Sequence, residues 1–389
     1  MKKFLSLVLA LVMTMSLVTV SAGAKDFTDD SEITYKEAVD VISALGVVDG
    51  YSDGDFRPDD VLTRGAAAKI ICNLILGPTT ASALAASTAP FKDVPVTNTF
   101  AGYITYCSQQ GIISGYADGT FRPTGTLSGN AFMKMLLGAL GYDSSIEGYT
   151  GGNWSVSVIK QAAGIGLDDG NDEFVGSKAV TREEAALYAS NMLKATMVEY
   201  DAKTTVNVNG ATVTVAGNKA QDKAWGTATN NDGNIDDDGF VQFAEQYFDK
   251  LTLRSVVDSF GRPSNRWANK GVEIGTYPKT AGASYTENVT LGTIYADLGM
   301  TDKDEKAEVY VDGVLASELA KVSKGNDAKI ADLKFAGTDK CSVGNGTLVE
   351  AYLDEDTNDV TIACINTYVA EVNKVVAASG NKDAYITLS

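Results

Sequence analysis

The 389-residue sequence contains no histidine and only four cysteines. The absence of histidine excludes Ser-His-Asp and Cys-His catalysis, histidine metal ligation and the usual near-neutral proton switch. Because Cys72, Cys107, Cys341 and Cys364 show no CxxC spacing, they do not indicate a zinc site. Cys72 and Cys107 fall on apolar helix faces, so we expect buried free thiols there, with a disulfide bridge as the alternative.

Positive charge is also scarce. The chain has 32 Lys and Arg against 50 Asp and Glu, a formal net charge of -18. A protein this acidic repels nucleic acid and anionic lipid overall, so we expect no nucleic-acid partner. Any anionic ligand must therefore be held locally by a few placed arginines or lysines.

Long apolar runs are missing after residue 24, where none approaches the roughly 20 residues that span a bilayer. Before it, Lys2 and Lys3 precede an apolar run over 4–20 and the small residues of 22–24. This pattern predicts a secretory signal peptide cleaved after Ala24, with an uncleaved membrane anchor as the alternative. We therefore expect an exported chain that has no transmembrane span after signal cleavage.

Two stretches of the chain repeat the same residues in the same order. GYSDGDFRPDDVLTRGAAAKI at 50–70 aligns with GYADGTFRPTGTLSGNAFMKM at 115–135. A third, worn copy at 162–193 retains Gly164 and Phe174 but loses the Tyr and the Arg-Pro. Self-similarity at this spacing is typical of stacked supersecondary units that bury their apolar faces together.

Each unit reads as a helix, a turn-rich loop and a second helix. The second helices are predicted to begin at the N-cap residues Thr63, Ser128 and Thr181. A capping box starts the first helix of unit one, over 34–37, and another starts at Thr181 with Glu184.

Two arginines occupy helix positions that local physics disfavours. Arg64 and Arg182 each take the first position of a helix, where the macrodipole makes a cation unfavourable by a few tenths of a kcal/mol. Together with free backbone N–H donors at that end, a guanidinium predicts a site for a carboxylate or phosphate. The alternative is that Arg64 folds back onto Asp59 or Asp60.

The region over roughly 25–198 resembles S-layer homology domains. The resemblance lies in the Phe-x-Asp openings at 27–29 and 91–93, the Gly-Tyr-x-Asp-Gly-x-Phe-x-Pro loop and the Leu-Thr-Arg helix start. The resemblance implies an N-terminal all-α bundle of three repeats with pseudo-three-fold symmetry. It also implies noncovalent anchoring of an exported protein to a secondary cell-wall polysaccharide that carries pyruvate ketals. The expected location is the cell wall or S-layer of a Gram-positive-type bacterium.

The resemblance also implies site residues. Thr63 with Arg64, and Thr181 with Arg182, match a family motif that lines grooves between modules, where the arginine meets the ketal carboxylate. Gly129 replaces that arginine in the second copy, so we expect at most two competent grooves.

Two aspartates match the family's opening position. Asp29 and Asp93 are implied to shape a groove or contact sugar, with loop capping as the alternative. The family's motif continues Ala-Glu, whereas Gly65 and Ala66 follow Arg64 here.

After residue 198 the pattern changes to alternating strands. Hairpins are predicted over 204–215, around Asn209-Gly210, and over 308–316, around Asp312-Gly313. Two longer strands are predicted over 347–372, and a helix is predicted near 240–251. The last residues, 383–389, read as a strand with no partner to follow, so we expect a chain that is incomplete at its C-terminus, with a natural early stop as the alternative. The predicted layout is a signal peptide 1–24, repeats 25–77, 91–145 and a degenerate 146–198, a linker 78–90, and a β-rich surface region 199–389.

One acidic loop fits a calcium motif. Asn234, Asp236, Asp238 and Glu245 take positions 1, 3, 5 and 12 of an EF-hand loop. The alternative is a solvated acidic loop before a helix, because the preceding residues do not form an entering helix. Calcium is the one cofactor that the sequence brings into consideration.

The sequence predicts an S-layer or S-layer-associated anchor rather than an enzyme, with other S-layer subunits as a second class of partner. The alternative is a wall-anchored carbohydrate-active enzyme whose catalytic part lies in or beyond the C-terminal region. The three tryptophans offer sugar-stacking rings, but no stretch presents paired carboxylates on a defined framework. They are Trp154, Trp225 and Trp267.

Overall fold

The structure is a computed structural model, and the chain divides into two compact units. The first unit comprises 20–254 and 266–275, and the second comprises 1–19, 255–265 and 276–389. Most of the predicted signal peptide lies outside the described residues, as do Cys341 and the Asn209-Gly210 turn. The described residues are 19–20, 25–200, 204–208, 211–215, 219–226, 231–287, 289–300, 305–322, 347–355, 357–367, 370–376 and 385–388.

The first unit contains the first and second helices of the three repeats, together with one short helix in the predicted linker and another after the repeats. A 3-10 turn, Asp30–Glu32, precedes the first of them. The helices are α1 (Lys36–Ala44), α2 (Arg64–Leu76), α3 (Pro78–Ser82), α4 (Ala101–Gln109), α5 (Gly129–Leu140), α6 (Trp154–Gly164), α7 (Arg182–Lys194) and α8 (Phe243–Tyr247).

Helices pack across repeats rather than within them. The first helix of repeat one, α1, packs against α7 of repeat three; α4 packs against α2, and α6 against α5. The apolar faces that meet there are buried, which explains why one repeat alone lacks a core. Fully buried side chains of this core include Val39, Ile42, Phe56, Ile71, Leu74, Phe121, Phe132 and Leu136.

The predicted all-α bundle with pseudo-three-fold symmetry is wrong, because the described residues form a mixed fold. Antiparallel bridges join Val61 to Thr181, Thr63 to Thr126 and Ser128 to Ala179, so β pairing as well as helix packing connects the repeats. These loops carry backbone N–H and C=O groups that need partners, and neighbouring loops supply them. Strands also pair inside the same unit, Val198–Tyr200 with Ala220–Asp222.

The segment predicted as a linker is partly helical. Helix α3 lies within 78–90, begins at Pro78 and buries Ala81. Proline is well suited to the first helical position because its missing N–H would be unpaired there in any case.

Two different mechanisms start the repeat helices. The N-caps of α2, α5 and α7 are confirmed, with the Thr63, Ser128 and Thr181 hydroxyls accepting backbone N–H groups. The predicted capping box of α1 is wrong, because its N-cap is Tyr35 and no side chain of the helix caps it.

A carboxylate from another repeat caps α1 instead. Glu183 Oε2 accepts the backbone N–H of Thr34 at 2.9 Å and of Tyr35 at 3.4 Å. Glu37, which was expected to complete the box, accepts the indole N–H of the buried Trp267 at 2.7 Å. Tertiary contacts therefore replace the local cap.

The β-rich part is built from several small sheets. The strands are β1 (Thr19–Val20), β2 (Val198–Tyr200), β3 (Thr204–Val208), β4 (Ala211–Val215), β5 (Ala220–Asp222), β6 (Leu251–Val257), β7 (Pro263–Asn269), β8 (Val272–Pro278), β9 (Ala283–Tyr285), β10 (Glu305–Val311), β11 (Val314–Val322), β12 (Thr347–Leu353), β13 (Val360–Asn366), β14 (Val372–Val376) and β15 (Tyr385–Leu388). They form sheets with the orders β1-β8-β7-β6, β11-β10-β13-β12-β9, β14-β15, β2-β5 and β3-β4.

The predicted strand pairs are confirmed, but the sheet around them was not predicted. Strands β3 and β4, β10 and β11, and β12 and β13 pair antiparallel, while β10 also pairs parallel to β13. The last strand, β15, pairs antiparallel with β14, which precedes it in the chain. Helix α9 (Leu291–Asp297) buries Leu291, Ile294 and Tyr295 in the core of the five-stranded sheet.

Across the described ranges, no helix is long and apolar enough to cross a membrane.

Candidate functional site

The start of α2 docks onto the loop of repeat two. The backbone N–H of Arg64 donates to Gly125 O at 2.9 Å, and that of Gly65 donates to Pro123 O at 2.8 Å. The N–H groups that we expected to be free at this helix end are therefore taken. Any ligand here would contact the side chain of Arg64 rather than the helix backbone.

The Arg64 side chain lies along the same loop. Its Nε donates to Phe121 O at 2.8 Å and its Nη2 to Ser114 O at 3.2 Å. The guanidinium carbon lies 4.4 Å from the ring centroid of Phe121 and 5.1 Å from that of Tyr116. Arg64 does not fold back onto Asp59 or Asp60. We call Arg64, Tyr116, Phe121 and Arg122 the Arg64 junction.

The start of α7 makes the equivalent backbone contacts with the loop of repeat one. The N–H of Arg182 donates to Asp60 O at 2.9 Å, and that of Glu183 donates to Pro58 O at 3.1 Å. The side chain of Arg182 again bonds two carbonyls, Phe56 O at 2.9 Å and Asp49 O at 3.0 Å.

Aromatic rings also flank this second guanidinium, whose carbon lies 4.8 Å from the Tyr51 ring centroid and 4.9 Å from that of Phe56. We call Arg182, Tyr51, Phe56 and Arg57 the Arg182 junction. Thr63 and Thr181 contribute hydroxyls that are already engaged as N-caps, accepting from Ala66 N at 3.3 Å and Glu184 N at 3.2 Å.

Both guanidinium groups are half-buried, and within the described part of the chain neither forms an ion pair. Burial lowers the pKa of Arg64 and of Arg182 because desolvation penalises the charged form. Two carbonyls satisfy part of each five-donor fork. The remaining N–H donors are available to an incoming acceptor.

Asp29 and Asp93 hold the loops that receive the arginines. The Asp29 carboxylate accepts the N–H groups of Phe56 at 2.8 Å and Arg57 at 2.6 Å. Asp93 accepts those of Phe121 and Arg122, both at 2.7 Å. Their geometry matches the loop-cap alternative.

The same two hydrogen bonds set the charge state of each carboxyl. Burial alone would raise the pKa of Asp29 and of Asp93, but the backbone donors outweigh it and lower both.

Two further arginines belong to the junctions and escaped the sequence reasoning. Arg57 and Arg122 have φ of 57° and 61°, a left-handed conformation uncommon outside glycine. Each guanidinium lies 4.1 Å from a tyrosine ring centroid, Arg57 over Tyr51 and Arg122 over Tyr116. The signal was present in the repeated Phe-Arg-Pro, whose arginine recurs in both intact copies.

The third junction lacks an arginine for a steric reason. The N–H of Gly129 donates to Lys178 O at 2.9 Å, and that of Asn130 to Gly176 O at 2.7 Å, so the backbone docking is the same. A Cβ at Gly129 would lie 2.8 Å from the Phe174 ring and 3.2 Å from Gly176 Cα. Phe174 therefore fills the place where an arginine side chain would begin.

A cavity of about 370 Å³ opens beside the Arg64 junction. Besides Arg64 and Tyr116, its lining includes Lys134, Tyr149 and Trp154, and no carboxylate belongs to the lining. We call it the Arg64 cavity. The sequence reasoning missed Lys134, although a lysine inside the apolar run of α5 was a usable signal.

The acidic loop does not bring the calcium-motif side chains together. Glu245, 1% exposed, accepts the backbone N–H of Ile235 at 3.0 Å and of Gln242 at 3.4 Å. Asp238 accepts from Phe240 N at 2.8 Å, and Asn234 donates to the carbonyl of Asp249 at 3.1 Å. No cluster of His, Cys, Asp or Glu that could hold a metal occurs in the described ranges.

The cysteines of the first unit are buried thiols, as predicted. Cys72 and Cys107 are fully buried, with their sulfur atoms 3.5 Å apart. The hydrogen bond with Cys72, together with burial, raises the pKa of Cys107. Cys364 is also buried and free.

The tryptophans divide between core and surface. Trp267 is fully buried, so it cannot stack on a sugar, whereas Trp154 and Trp225 remain partly exposed.

A family model for the S-layer homology domain matches residues 26–68 and 90–129, and the chain contains such domains. Over 172 residues the chain is 29% identical to a surface layer protein of Brevibacillus choshinensis, covering 44% of this chain and 15% of the relative. It is 27% identical over 281 residues to a cell surface protein of Thermoanaerobacter kivui, covering 68% of this chain and 35% of the relative. It is 28% identical over 156 residues to a cellulosome-anchoring protein of Acetivibrio thermocellus, covering 37% of this chain and 35% of the relative. The chain thus spans about a third or less of the length of these relatives.

Proposed function

We propose that this bacterial cell-surface protein, which carries S-layer homology domains, is held on the wall by noncovalent binding of an acidic secondary wall polysaccharide. The Arg64 and Arg182 junctions are the binding grooves, and the group that each arginine receives is a carboxylate of the pyruvate-ketal type. One observation carries the proposal: two half-buried guanidinium groups without an ion pair among the described residues, in a chain of net charge -18.

The electrostatics of the junctions favour an anionic ligand. A cation that is partly desolvated and forms no ion pair within the described part of the chain gains from an incoming anion, and a hydrogen bond to a charged group contributes about 1.5–3 kcal/mol. The aromatic rings and backbone carbonyls already fix the orientation of each guanidinium, so little side-chain entropy is lost on binding.

Two grooves on one chain favour retention by a polymer. A repeating polysaccharide can occupy both grooves at once, and the second contact is then intramolecular, which raises the overall affinity without new contacts. This supports a stable anchor built from individually modest sites.

We also infer that the chain is an S-layer or S-layer-associated component without catalytic activity of its own, with other S-layer subunits as further partners. Relatives named as surface layer, cell surface and anchoring proteins support this inference.

A sedimentation assay tests the anchor. The full chain is mixed with purified wall sacculi that carry pyruvylated polysaccharide, and we expect it to sediment with them. Mild acid that cleaves the ketals should release it. Arg64→Ala and Arg182→Ala should each weaken retention, and the double variant should abolish it while its far-UV circular dichroism spectrum shows that the repeats remain folded.

Lys160→Ala is the matched control, because it also removes one positive charge from an exposed position of repeat three. It should sediment as the unsubstituted chain does. Failure of the unsubstituted chain to sediment would contradict the proposal, and new reducing ends in the wall glycan would favour an enzyme instead.

A further inference from the structure

Two of the four cysteines meet in the core between repeats one and two. Cys72 lies on α2 and Cys107 on α4, and these two helices pack against each other. Both side chains are fully buried, with their Sγ atoms 3.5 Å apart. The contact therefore joins the second helix of one repeat to the first helix of the next.

The two thiols are directed at each other across the helix contact. Cys72 Sγ lies 3.6 Å from Tyr103 O, and Cys107 Sγ lies 3.6 Å from Ala68 O. Each carbonyl belongs to the residue four positions before the other cysteine, so each sulfur points at the facing helix about one turn before its partner. A disulfide needs the sulfur atoms about 2.05 Å apart, so closing the gap takes a movement of about 0.7 Å by each sulfur.

Burial alone is an ordinary property of cysteine, which packs as a small apolar side chain. The pairing is what burial does not explain, because a thiol–thiol contact offers only weak hydrogen bonding and the chain has just four cysteines in 389 residues. Disulfides form and persist in proteins outside the cytosol, and this chain is a cell-surface protein. The facing positions therefore favour a chemical role for the pair.

We propose that Cys72 and Cys107 are an oxidation site, at which a disulfide links repeat one to repeat two in the cell-surface protein. The oxidant is a small molecule or protein that bears a disulfide, RSSR. The Cys72 thiolate attacks one sulfur of RSSR and releases RS⁻; the Cys107 thiolate then attacks Cys72 Sγ and releases the second RS⁻. The released thiolates take up the two cysteine protons, so two thiols become one disulfide while RSSR becomes two RSH.

The oxidation belongs to folding rather than to the folded protein. The attacking species is a thiolate, and the hydrogen bond with Cys72, together with burial, raises the pKa of Cys107, which keeps the folded pair as thiols. Neither side chain has exposed surface at which an oxidant could react. The exchange therefore takes place before α2 and α4 pack, and the packing then shields the bond.

The bond closes a loop between cysteines that are 35 positions apart in the chain. Such a cross-link lowers the conformational entropy of the unfolded chain and so stabilises the folded one. Arg64 begins the helix that carries Cys72, so the bond fastens the two repeats that the Arg64 junction joins without touching that junction. The oxidation site is independent of the wall-anchoring proposal, and either can fail alone.

Peptide mapping tests the site. The full chain, purified with its thiols reduced, is exposed to oxidised glutathione in urea near its unfolding midpoint, and the remaining thiols are alkylated before digestion and mass spectrometry. We expect a pair of peptides joined between Cys72 and Cys107. Alkylation of both cysteines, or linkage of either to Cys341 or Cys364, would overturn the proposal.

The same reaction without urea tests the order of events. The folded, reduced chain should form the Cys72–Cys107 link at least tenfold more slowly than the chain in urea, because opening of the α2–α4 contact must come first. Equal rates would show that the folded pair is open to the oxidant, which would contradict oxidation during folding.

Thermal unfolding measures what the bond does. The oxidised chain should melt about 5–10 °C above the chain kept reduced. Cys107→Ala is the matched control, because it retains Cys341 and Cys364 and so reports any shift that they cause. Its melting temperature should be the same with and without oxidant. An oxidised chain that carries the mapped link but melts with the reduced one would overturn the stabilising role.

Discussion

The Arg64 and Arg182 junctions have the same pattern of backbone hydrogen bonds but differ in the residue that follows the arginine. At each, the first two N–H groups of a helix donate to carbonyls of another repeat's loop, and the arginine bonds two more carbonyls of that loop. The next residue is Gly65 in one junction and Glu183 in the other. The comparison teaches that the docking geometry depends on backbone groups, while the neighbouring side chain is selected by what packs on it.

The packing around each of these two residues explains the choice. A Cβ at Gly65 would lie 2.6 Å from the Phe100 ring and 3.1 Å from Pro123 O, so no side chain fits there. Glu183 is buried against the start of α1, whose N–H groups it accepts. Gly65 thus stands where the family's motif has Ala because Phe100 occupies the space.

Placing a glutamate at position 65, as at position 183, should have the largest effect on stability. Gly65→Glu places the residue of the Arg182 junction into the Arg64 junction, where the Phe100 ring must move. We expect a loss of about 2–3 kcal/mol in the free energy of unfolding, as for overpacked sites. Urea unfolding followed by far-UV circular dichroism measures it, and an unchanged midpoint would show that Phe100 yields freely.

Removing the Glu183 carboxylate should destabilise the protein less than Gly65→Glu does. Glu183→Ala removes the acceptor of the Thr34 and Tyr35 N–H groups, so we expect a loss of about 1–2 kcal/mol of stability. Glu173→Ala, an exposed carboxylate of the same repeat, is the control and should change little. Amide exchange of Thr34 should accelerate in Glu183→Ala; unaltered exchange would contradict the tertiary cap.

A third pair of variants sharpens the comparison at the helix caps. Only α7, of the two arginine-bearing helices, has a complete capping box, between Thr181 and Glu184; the corresponding residue of α2 is Ala66. Glu184→Ala should destabilise the protein by about 1 kcal/mol, and Ala66→Glu should stabilise it by about 0.5 kcal/mol. Opposite shifts of the melting temperature are the expected result, and shifts of the same sign would argue against it.

The smallest effect concerns the loop aspartates, for which the junctions should behave alike. Because the folded-state pKa of Asp29 and of Asp93 is lowered, each carboxylate stabilises the fold above the ordinary aspartate pKa of about 3.9, and the contribution is lost as pH falls through the folded value. Asp29→Asn and Asp93→Asn should each lower the melting temperature at pH 7 by a few degrees. The difference from the unsubstituted chain should shrink in acid; a pH-independent difference would show that the charge is irrelevant.

Local patterns predicted the elements whose stabilising contacts are close in sequence. The N-caps of α2, α5 and α7 and the strand pairs around short turns depend on residues within a few positions of one another, so the sequence determined them. Arg64 and Arg182 could be singled out for the same reason, because a cation at the first helical position conflicts with the local helix dipole.

Tertiary structure alone decided the rest. The partners of Arg64, the carboxylate that caps α1 and the assembly of the Arg64 cavity from Lys134 and Tyr149 all join residues that are distant in the chain. The all-α prediction failed for the same reason, since the bridges between loops form only when separate repeats meet. Propensity and periodicity report short-range energetics, whereas these contacts depend on which backbone groups and side chains the packed helices bring within hydrogen-bonding distance.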